Sequence, residues 1–309
     1  MRVFVAGIGS ALERVLVPQL IENGYQVTTL ACTPDQAEQL RSLGGELAVA
    51  DPLNAEQLTQ AIHSAAPNVI IDLFSALPSL SPNAEHDALT RRGEDDILDT
   101  LLAAARLAGA RRFIAQSYCG WPLTLATGPL GKEEDPFQSR APAKLGALSN
   151  AIRHREETIQ NARDVQTLIL RCGFLYGPGT EISRDGSIAT LIRERKLPLV
   201  RSAHGVWSFI HVADAARAIV VAVSQGAPGI YNVVDSEPAP VSNWLPLLAQ
   251  VLGAPAPHAL PAWLARLFIG DIGVSMMTES HGISNRKAIS GLGWQPMFAN
   301  YRQGFLKGL

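Results

Sequence analysis

The chain opens with MRVFVAGIGSALERVLVPQL, residues 1–20, and this stretch decides the fold. Its first seven residues form a short apolar run, which predicts a β-strand. Leucine and valine then recur at helical spacing up to the end of the stretch, which predicts an amphipathic helix. Gly7 and Gly9 lie between the two patterns. The order of strand, glycine turn and helix is typical of the unit that begins a dinucleotide-binding domain.

The glycine turn departs from both common forms of the dinucleotide-binding motif. In G-x-x-G-x-x-G, Gly7 fits and the next two glycine positions hold Ser10 and Glu13. In G-x-G-x-x-G, Gly7 and Gly9 fit and the third position is Leu12. The glycines of such turns let the backbone approach the pyrophosphate and let the helix pack closely on the strand. The side chain of Ser10 leaves less room for the pyrophosphate to approach the backbone. A carboxylate at Glu13 interacts favourably with the positive end of the helix dipole, but it competes with a phosphate bound at the same helix end.

The rest of the chain alternates between strand-like and helix-like segments as far as residue 171. Strands are predicted at 26–30, 46–50, 68–74, 111–117 and 165–171, and helices at 11–22, 34–43, 54–63, about 86–108 and about 143–162. The strands lack polar alternation, as expected when helices cover both faces of a parallel sheet. This pattern predicts an α/β protein, with a doubly wound parallel-sheet Rossmann fold over 1–171 and a smaller, mainly substrate-binding lobe over 172–309. The segment 212–235 is expected to return to the main sheet.

Charge and composition restrict the classes of function. The chain has 309 residues, with 26 basic and 28 acidic side chains and a formal net charge of -2. This near-neutral composition does not indicate the basic surface with which proteins attract nucleic acid or anionic membranes. A small-molecule partner is therefore predicted. Three widely spaced cysteines without a C-x-x-C pair favour a reducing compartment, and the scattered histidines predict no metal site. No apolar run approaches the ~18 residues of a membrane span, so a cytoplasmic location is expected.

Further landmarks occur in a fixed order over nearly the whole chain. They are VFVAG and LVPQLIENGYQV near the start, VADPLN at 49–54, AAARLAGARRFIAQS at 103–117, LILRCGFLYGPGT at 168–180, FIHVADAARAIV at 209–220, GIYNVVDSEPAPVSNW at 229–244 and LGWQP at 292–296. In this order the chain resembles the extended short-chain dehydrogenase/reductase family, and within it the NAD-dependent epimerase/dehydratase group. The resemblance implies a small-molecule enzyme that binds NAD or NADP and forms a homodimer.

The usual catalytic pair of that family is missing. Relatives carry Tyr-x-x-x-Lys, in which the four-residue spacing places the phenol and the ammonium on one helix face. None of the five tyrosines of this chain has a lysine four residues later. Aligning RHREETIQ with the family helix puts Leu148 and Ile152 at the two positions. The usual acid/base device is therefore absent in its usual form.

Four other side chains are candidates for catalysis. Ser117 ends a predicted strand where the family has a serine or threonine, and Tyr118 follows it and offers a replacement phenol. Tyr176, in YGPG, matches a family loop that borders the substrate pocket, and His154 offers an imidazole, the side chain that most often serves as a general base. Each also has a structural interpretation: a strand-end hydrogen bond for Ser117, a pocket wall for Tyr118, a packed turn for Tyr176 and a solvated surface position for His154.

The resemblance also indicates residues that contact the cofactor and the substrate. The cofactor set is Gly7, Gly9, Ser10, Asp51, Phe74, Ser75 and Ala76, and the substrate set is Trp121, Trp207 and His211. Asp51 matches a residue that contacts adenine, although an aspartate before proline also begins turns. The second strand ends at Cys32, with neither an acid for the ribose hydroxyls nor an arginine for a 2′-phosphate.

Three functions remain open at this stage. The first is an NAD(P)-dependent epimerase, dehydratase or reductase with a modified cofactor site. The second is an isomerase, lyase or cyclase on the same fold that has lost the cofactor and uses acid/base groups near Ser117 and Tyr118. The third is a noncatalytic protein that senses a nucleotide or metabolite. The fold alone does not separate them.

Overall fold

The computed structural model describes residues 1–7, 9–74, 87–119, 129–136, 143–201 and 203–309. In these ranges the strands are β1 (Arg2–Ala6), β2 (Gln26–Ala31), β3 (Glu46–Val49), β4 (Val69–Asp72), β5 (Arg112–Tyr118), β6 (Gln166–Cys172), β7 (Phe174–Tyr176), β8 (Leu199–Val200), β9 (Val206–Trp207), β10 (Phe209–His211), β11 (Gly229–Val233), β12 (Ala239–Pro240) and β13 (Ala259–Leu260). The helices are α1 (Ala11–Glu22), α2 (Pro34–Arg41), α3 (Ala55–Ala65), α4 (Asp87–Leu107), α5 (Ala143–Asn161), α6 (Ser187–Arg193), α7 (Val212–Ala222), α8 (Val241–Val251), α9 (Ala262–Glu279), α10 (Arg286–Leu292) and α11 (Tyr301–Lys307).

Seven strands form a central sheet in the order β11-β6-β5-β4-β1-β2-β3. Every neighbouring pair in it is parallel, including β11 beside β6. The predicted α/β fold with a doubly wound parallel sheet is confirmed. The strand order reverses between β1 and β4, and open α/β sheets bind ligands in the crevice outside the carboxyl ends of the strands at such a point. The loops after β1, β4 and β5 therefore define where a ligand site is expected.

The two faces of the sheet bury separate apolar clusters. In β1, Val3 and Val5 belong to the cluster that includes residues of α1 and α7, whereas Phe4 and Ala6 belong to the cluster beneath α3, α4 and α5. This alternation follows from the two-residue period of a strand. Both faces are covered, which explains why the strand sequences are apolar throughout.

The lobe beyond the sheet is organised around aromatic side chains. Trp207, Phe209, Trp244 and Phe305 are all fully buried in one cluster that joins α6, α8, α9 and α11. Their rings contact one another in tilted and edge-to-face arrangements, the geometries that aromatic pairs prefer. The predicted boundary at residues 171 and 172 falls within β6, next to this cluster, and stays a prediction. Among the described residues, no helix combines the length and apolar character that a bilayer crossing requires.

Candidate functional site

The glycine turn after β1 is closed by a side chain from the first turn of α1. Ser10 is the N-cap of this helix, and its Oγ accepts a hydrogen bond from the Glu13 backbone N–H at 3.1 Å. The Glu13 carboxyl folds back, and its Oε2 accepts a hydrogen bond from the Gly9 N–H. A Cβ added to Gly7 would lie 3.0 Å from the carboxyl carbon of Glu13. The pattern resembles a capping box in which the carboxyl accepts from the residue before the N-cap, and it lies where a dinucleotide pyrophosphate would bind.

The Glu13 carboxyl is in an unusual electrostatic environment. Its side chain is fully buried, and Oε1 has no hydrogen-bond partner among the described residues. Burial raises the pKa of Glu13 to about 7, although the backbone N–H groups of Gly9 and Ser10 and the charge of Arg14 oppose the shift. A carboxyl with this pKa exists in both protonation states near neutral pH.

The adenosine end of the expected cofactor site lies at the carboxyl ends of β2 and β3. Cys32 is partly buried there, and burial together with the Asp51 and Glu13 carboxylates raises the pKa of its thiol to about 11. The position that usually anchors the ribose therefore carries an uncharged group. Asp51 is exposed, as a ligand-facing acid would be, and its Oδ1 accepts a hydrogen bond from the Leu53 N–H at 3.0 Å. This hydrogen bond closes a turn at Asp51, in agreement with the alternative interpretation of this aspartate as the start of a turn.

A buried ion pair closes the carboxyl end of β4. Asp72 is fully buried and pairs with Arg155 of α5. Its Oδ1 also accepts a hydrogen bond from the Phe74 N–H at 2.9 Å. Burial raises the pKa of Asp72, and the Arg155 charge opposes that shift. Phe74, predicted to contact the cofactor, is largely buried in the cluster beneath α4 and α5, and the predicted Ser75 and Ala76 lie outside the described residues.

A second buried ion pair lies one residue further along α5. Glu156 receives both Nε and Nη2 of Arg171, at 2.9 and 2.6 Å. Ser117, at the end of β5, donates its hydroxyl to Glu156 Oε1 at 2.6 Å. All three side chains are buried. The predicted catalytic serine is thus engaged in a structural network under the site, because a buried carboxylate needs donors and Ser117 supplies one.

Sequence reasoning did not identify the acidic and basic residues of these two pairs. The available signal was a charge inside an otherwise apolar strand. Asp72 stands in VIIDLF and Arg171 in LILRC, and Arg155 and Glu156 are adjacent in the helical segment just before the second of these strands. A charge is rarely buried unless it is paired, so such positions indicate a partner elsewhere in the chain. The sequence alone does not say which partner.

Three predicted aromatic residues lie in the lobe cluster. Tyr118 is buried, and its ring packs edge-to-face on the Phe174 ring, with the two ring centroids 5.3 Å apart. Tyr176 is fully buried, burial holds the pKa of its phenol well above the usual value, and its hydroxyl would collide with a side chain at Gly304. Trp207 is also fully buried and donates its indole N–H to the Met276 carbonyl at 2.7 Å. Tyr176 and Trp207 are thus core side chains here and not exposed pocket walls, since each fills a closed aromatic cluster.

The predicted histidines lie away from the crevice or are engaged in structural bonds. His154 is exposed, whereas the neighbouring Arg155 and Glu156 face the sheet, so it lies on the solvent side of α5, and its role as a base stays a prediction. His211 caps α7, with Nδ1 accepting from the Ala213 N–H at 3.1 Å and Nε2 donating to the Gly308 carbonyl at 3.0 Å. Burial lowers its pKa, which favours the neutral ring that this bonding requires. The predicted Trp121 lies outside the described residues.

The residues at the carboxyl edge fit a dinucleotide in their backbone geometry. Gly9 has φ of 78°, a conformation that favours glycine, and a Cβ there would meet nothing within 4 Å. The N-terminus of α1 supplies N–H donors for a pyrophosphate, and Asp51 and Cys32 flank the adenosine end. The fit has one exception, since the Glu13 carboxyl already holds the Gly9 N–H that a phosphate oxygen would take.

Within the described residues, no group of three or more histidine, cysteine, aspartate or glutamate side chains is arranged to hold a metal ion.

Comparisons with known proteins agree on one family. The model of the NAD dependent epimerase/dehydratase family matches residues 3–233. The chain is 37% identical over 310 residues to a 3-diazoavenalumate denitrifying reductase of a Streptomyces species, covering 98% of this chain and 99% of that protein.

Solved structures with the same fold have lower sequence identity. A UDP-glucose 4-epimerase of Thermotoga maritima, solved with UDP-glucose, has a TM-score of 0.77 at 18% identity over 99% of this chain and 96% of that one. A dTDP-glucose 4,6-dehydratase of Bacillus anthracis, solved with NAD, has a TM-score of 0.76 at 16% identity over 100% and 95%. By the family model and the full-length relative, the chain belongs to the NAD-dependent epimerase/dehydratase family.

Proposed function

We propose that this protein is an NAD(P)H-dependent reductase that replaces the diazonium group of an aromatic acid with hydrogen. Two observations support the proposal: the full-length similarity to a denitrifying reductase, and the missing Tyr-x-x-x-Lys pair. The cytoplasmic location and the homodimer stay predictions.

The inner face of α5 gives the reductase its main structural support, because it lacks the family's acid/base pair. Where the family alignment expects the lysine, the chain has Ile152, which is 8% exposed and belongs to the same apolar cluster as Tyr118 and Phe174. The next inward positions, Arg155 and Glu156, are committed to ion pairs with β4 and β6. This part of the helix therefore supplies an apolar wall and a rigid anchor instead of a phenol and an ammonium.

This wall suits a hydride transfer that needs no proton. When a hydride adds to a carbonyl, the oxygen becomes an anion and must be protonated, which is the task of the tyrosine and lysine. When a hydride replaces a diazonium group, a C–H bond forms, the C–N bond breaks, and its electron pair leaves with neutral dinitrogen. The hydride supplies both electrons and cancels the positive charge, so no acid or base is required. Reduced nicotinamide, when bound, supplies the hydride.

An apolar enclosure would also protect the substrate. Water attacks aromatic diazonium ions and converts them to phenols, so exclusion of water favours hydride as the nucleophile. Ile152, Tyr118 and Phe174 are all buried in one apolar cluster, at and just beyond the carboxyl ends of β5 and β6. Their role in the proposal is to form water-free packing directly behind the reaction space.

The test follows the hydride and the nitrogen. The purified protein is mixed with a carboxylated benzenediazonium salt and with NADH or NADPH deuterated at the transferred position, next to a reaction without protein. The expected result is protein-dependent loss of reduced nicotinamide, release of dinitrogen, and deuterium on the ring carbon that carried the nitrogen. If nicotinamide consumption matches the protein-free reaction, or the ring carbon acquires solvent hydrogen instead, the proposal is wrong.

A conservative variant separates hydride-only chemistry from acid/base chemistry. Tyr118→Phe removes the phenol next to Ser117 and keeps the ring that packs on Phe174. Turnover within about twofold of the parent is expected if no proton is transferred, whereas loss of a general acid costs about 100-fold or more. A fall of the second size would favour proton transfer by Tyr118.

One observation favours the cofactor-independent isomerase or lyase as the second candidate. The Glu13 carboxyl occupies the position of a phosphate oxygen at the Gly9 N–H. Calorimetric titration with NADH and NADPH at about pH 6, where a carboxyl of raised pKa is mostly protonated, decides between the candidates. Absence of binding at millimolar concentration would remove the reductase, and binding without turnover of any substrate would favour the sensing protein.

A further inference from the structure

The capping interaction at the start of α1 accounts for only one of the two oxygens of the Glu13 carboxyl. A capping box needs one carboxylate oxygen to accept a backbone N–H, and Oε2 does so at Gly9. The other oxygen, Oε1, is buried without a partner among the described residues. A buried oxygen without a hydrogen-bond partner destabilises the fold, so its presence needs an explanation beyond the cap.

The position of the Glu13 carboxyl supplies this explanation. Its atoms lie against the turn at 3.0 Å from a Cβ placed on Gly7, and it holds the Gly9 N–H at the positive end of a 12-residue helix. Both features belong to the space that a pyrophosphate fills in this fold. Glu13 is itself fully buried, so its carboxyl lies directly beneath the surface on which a pyrophosphate would bind.

The charges around Glu13 do little to hold it ionised. Arg14 on the same helix is exposed, and its attraction lowers the pKa of the carboxyl less than the Gly9 and Ser10 backbone N–H groups do. Cys32, after β2, is a neutral thiol, and beyond it lies the like charge of Asp51. At the end of β4, Asp72 is already paired with Arg155. None of these groups places a strong positive charge beside Glu13. Protonation is therefore the simplest way to neutralise the buried carboxyl.

We propose that Glu13 makes dinucleotide binding depend on a proton. In the protonated form the Glu13 carboxyl donates a hydrogen bond from its O–H to a pyrophosphate oxygen of the cofactor. In the ionised form it repels that phosphate and keeps the Gly9 N–H for itself. Binding of one cofactor then takes up one proton. This inference rests on the proposed use of NAD(P)H.

The size of the effect follows from linkage. Burial raises the pKa of Glu13 to about 7 in the free protein, so the carboxyl is mostly ionised above neutral pH. If only the protonated form binds, the dissociation constant rises about tenfold per pH unit in that range, or roughly 100-fold between about pH 6 and pH 9. Glu13→Gln keeps the shape and an amide oxygen for the Gly9 N–H, adds a donor, and has no charge. Its affinity is expected to stay close to that of the parent at about pH 6 over the whole range.

The experiment is calorimetric titration of the full chain with NADH, whose pyrophosphate does not titrate in this range. It is performed across the pH range, and at each pH in two buffers that differ in ionisation enthalpy. The parent should take up close to one proton per NADH above neutral pH, and Glu13→Gln close to none. The matched control is Glu22→Gln, which neutralises an exposed carboxylate at the far end of the same helix and should behave like the parent.

The possible outcomes separate this inference from the proposed function. Binding by the parent that changes less than about threefold with pH, or a Glu13→Gln variant with the parental pH dependence, overturns the proton linkage and leaves the reductase intact. Absence of binding by the parent and by Glu13→Gln at every pH overturns both. Glu13→Ala, which empties the space beside Gly7, is a second variant, and it should also abolish the proton uptake.

Discussion

The buried Glu13 carboxyl makes a prediction about folding that requires no ligand. Its pKa rises from 4.5, the usual value, to about 7 in the folded chain. The folded state therefore holds this proton more tightly than the unfolded state does. This contribution to stability is fully present below about pH 4.5 and is lost as the pH rises toward 7 and the carboxyl ionises in a buried site.

The magnitude follows from the two pKa values. The difference between 4.5 and about 7, at about 1.4 kcal/mol per pH unit, corresponds to roughly 3 kcal/mol. Glu13→Gln removes the titration and leaves every other group in place. We therefore expect the stability of the variant relative to the parent to increase by roughly 3 kcal/mol between about pH 4 and pH 8. Taking the difference between the two proteins cancels the contributions of other titrating groups.

The assay is urea unfolding followed by circular dichroism at several pH values for the parent, Glu13→Gln and the control Glu22→Gln. Free energies of unfolding are compared at each pH. The expectation is wrong if the free energy of unfolding of Glu13→Gln minus that of the parent stays constant or falls as the pH rises. A control that reproduces the Glu13→Gln curve would show that loss of any carboxylate from α1, and not the burial of Glu13, is responsible.

Three further changes test the packing around the site. Arg171→Met leaves Glu156 as a buried unpaired charge and should cost about 3–5 kcal/mol of unfolding free energy, much of which the double variant with Glu156→Leu should restore; a double variant no more stable than the single one would contradict this. Gly304→Ala forces a methyl group into the Tyr176 ring and should lower the free energy of unfolding by about 1–3 kcal/mol in chemical denaturation; an unchanged value would show that α11 shifts freely. Burial raises the pKa of Asp235 to about 8, so Asp235→Asn should gain stability over the parent as the pH rises from about 4 to 8; thermal unfolding at both ends of the range checks the sign.

Local patterns were sufficient to predict the main sheet and its helices. The apolar runs that predicted strands at 26–30 and 165–171 became β2 and β6, each within one residue of the prediction. The helix predicted at 143–162 became α5. These segments could be read from sequence because burial on both sheet faces demands an unbroken apolar run, and covering helices demand a 3.6-residue period.

The arrangement of the candidate site could not be read in the same way. Asp72 and Arg155 are 83 residues apart, and Glu156 and Arg171 are 15 apart on different elements, so no local period links them. The sequence indicated a carboxylate at the helix end in Glu13. It could not show that the side chain would be buried and return to the turn, because that depends on how β1, β4 and α1 pack together.

Helix α5 crosses three adjacent strands and is fastened to each of them. Arg155 pairs with Asp72 of β4, and Glu156 contacts both Ser117 of β5 and Arg171 of β6. The helix therefore keeps its position whatever side chains stand one turn earlier, at Ile152 and its neighbours. Evolution can exchange the reactive groups on that turn without rebuilding the scaffold. Such a division between anchoring and reacting positions lets the chemistry of a fold change while its architecture is retained.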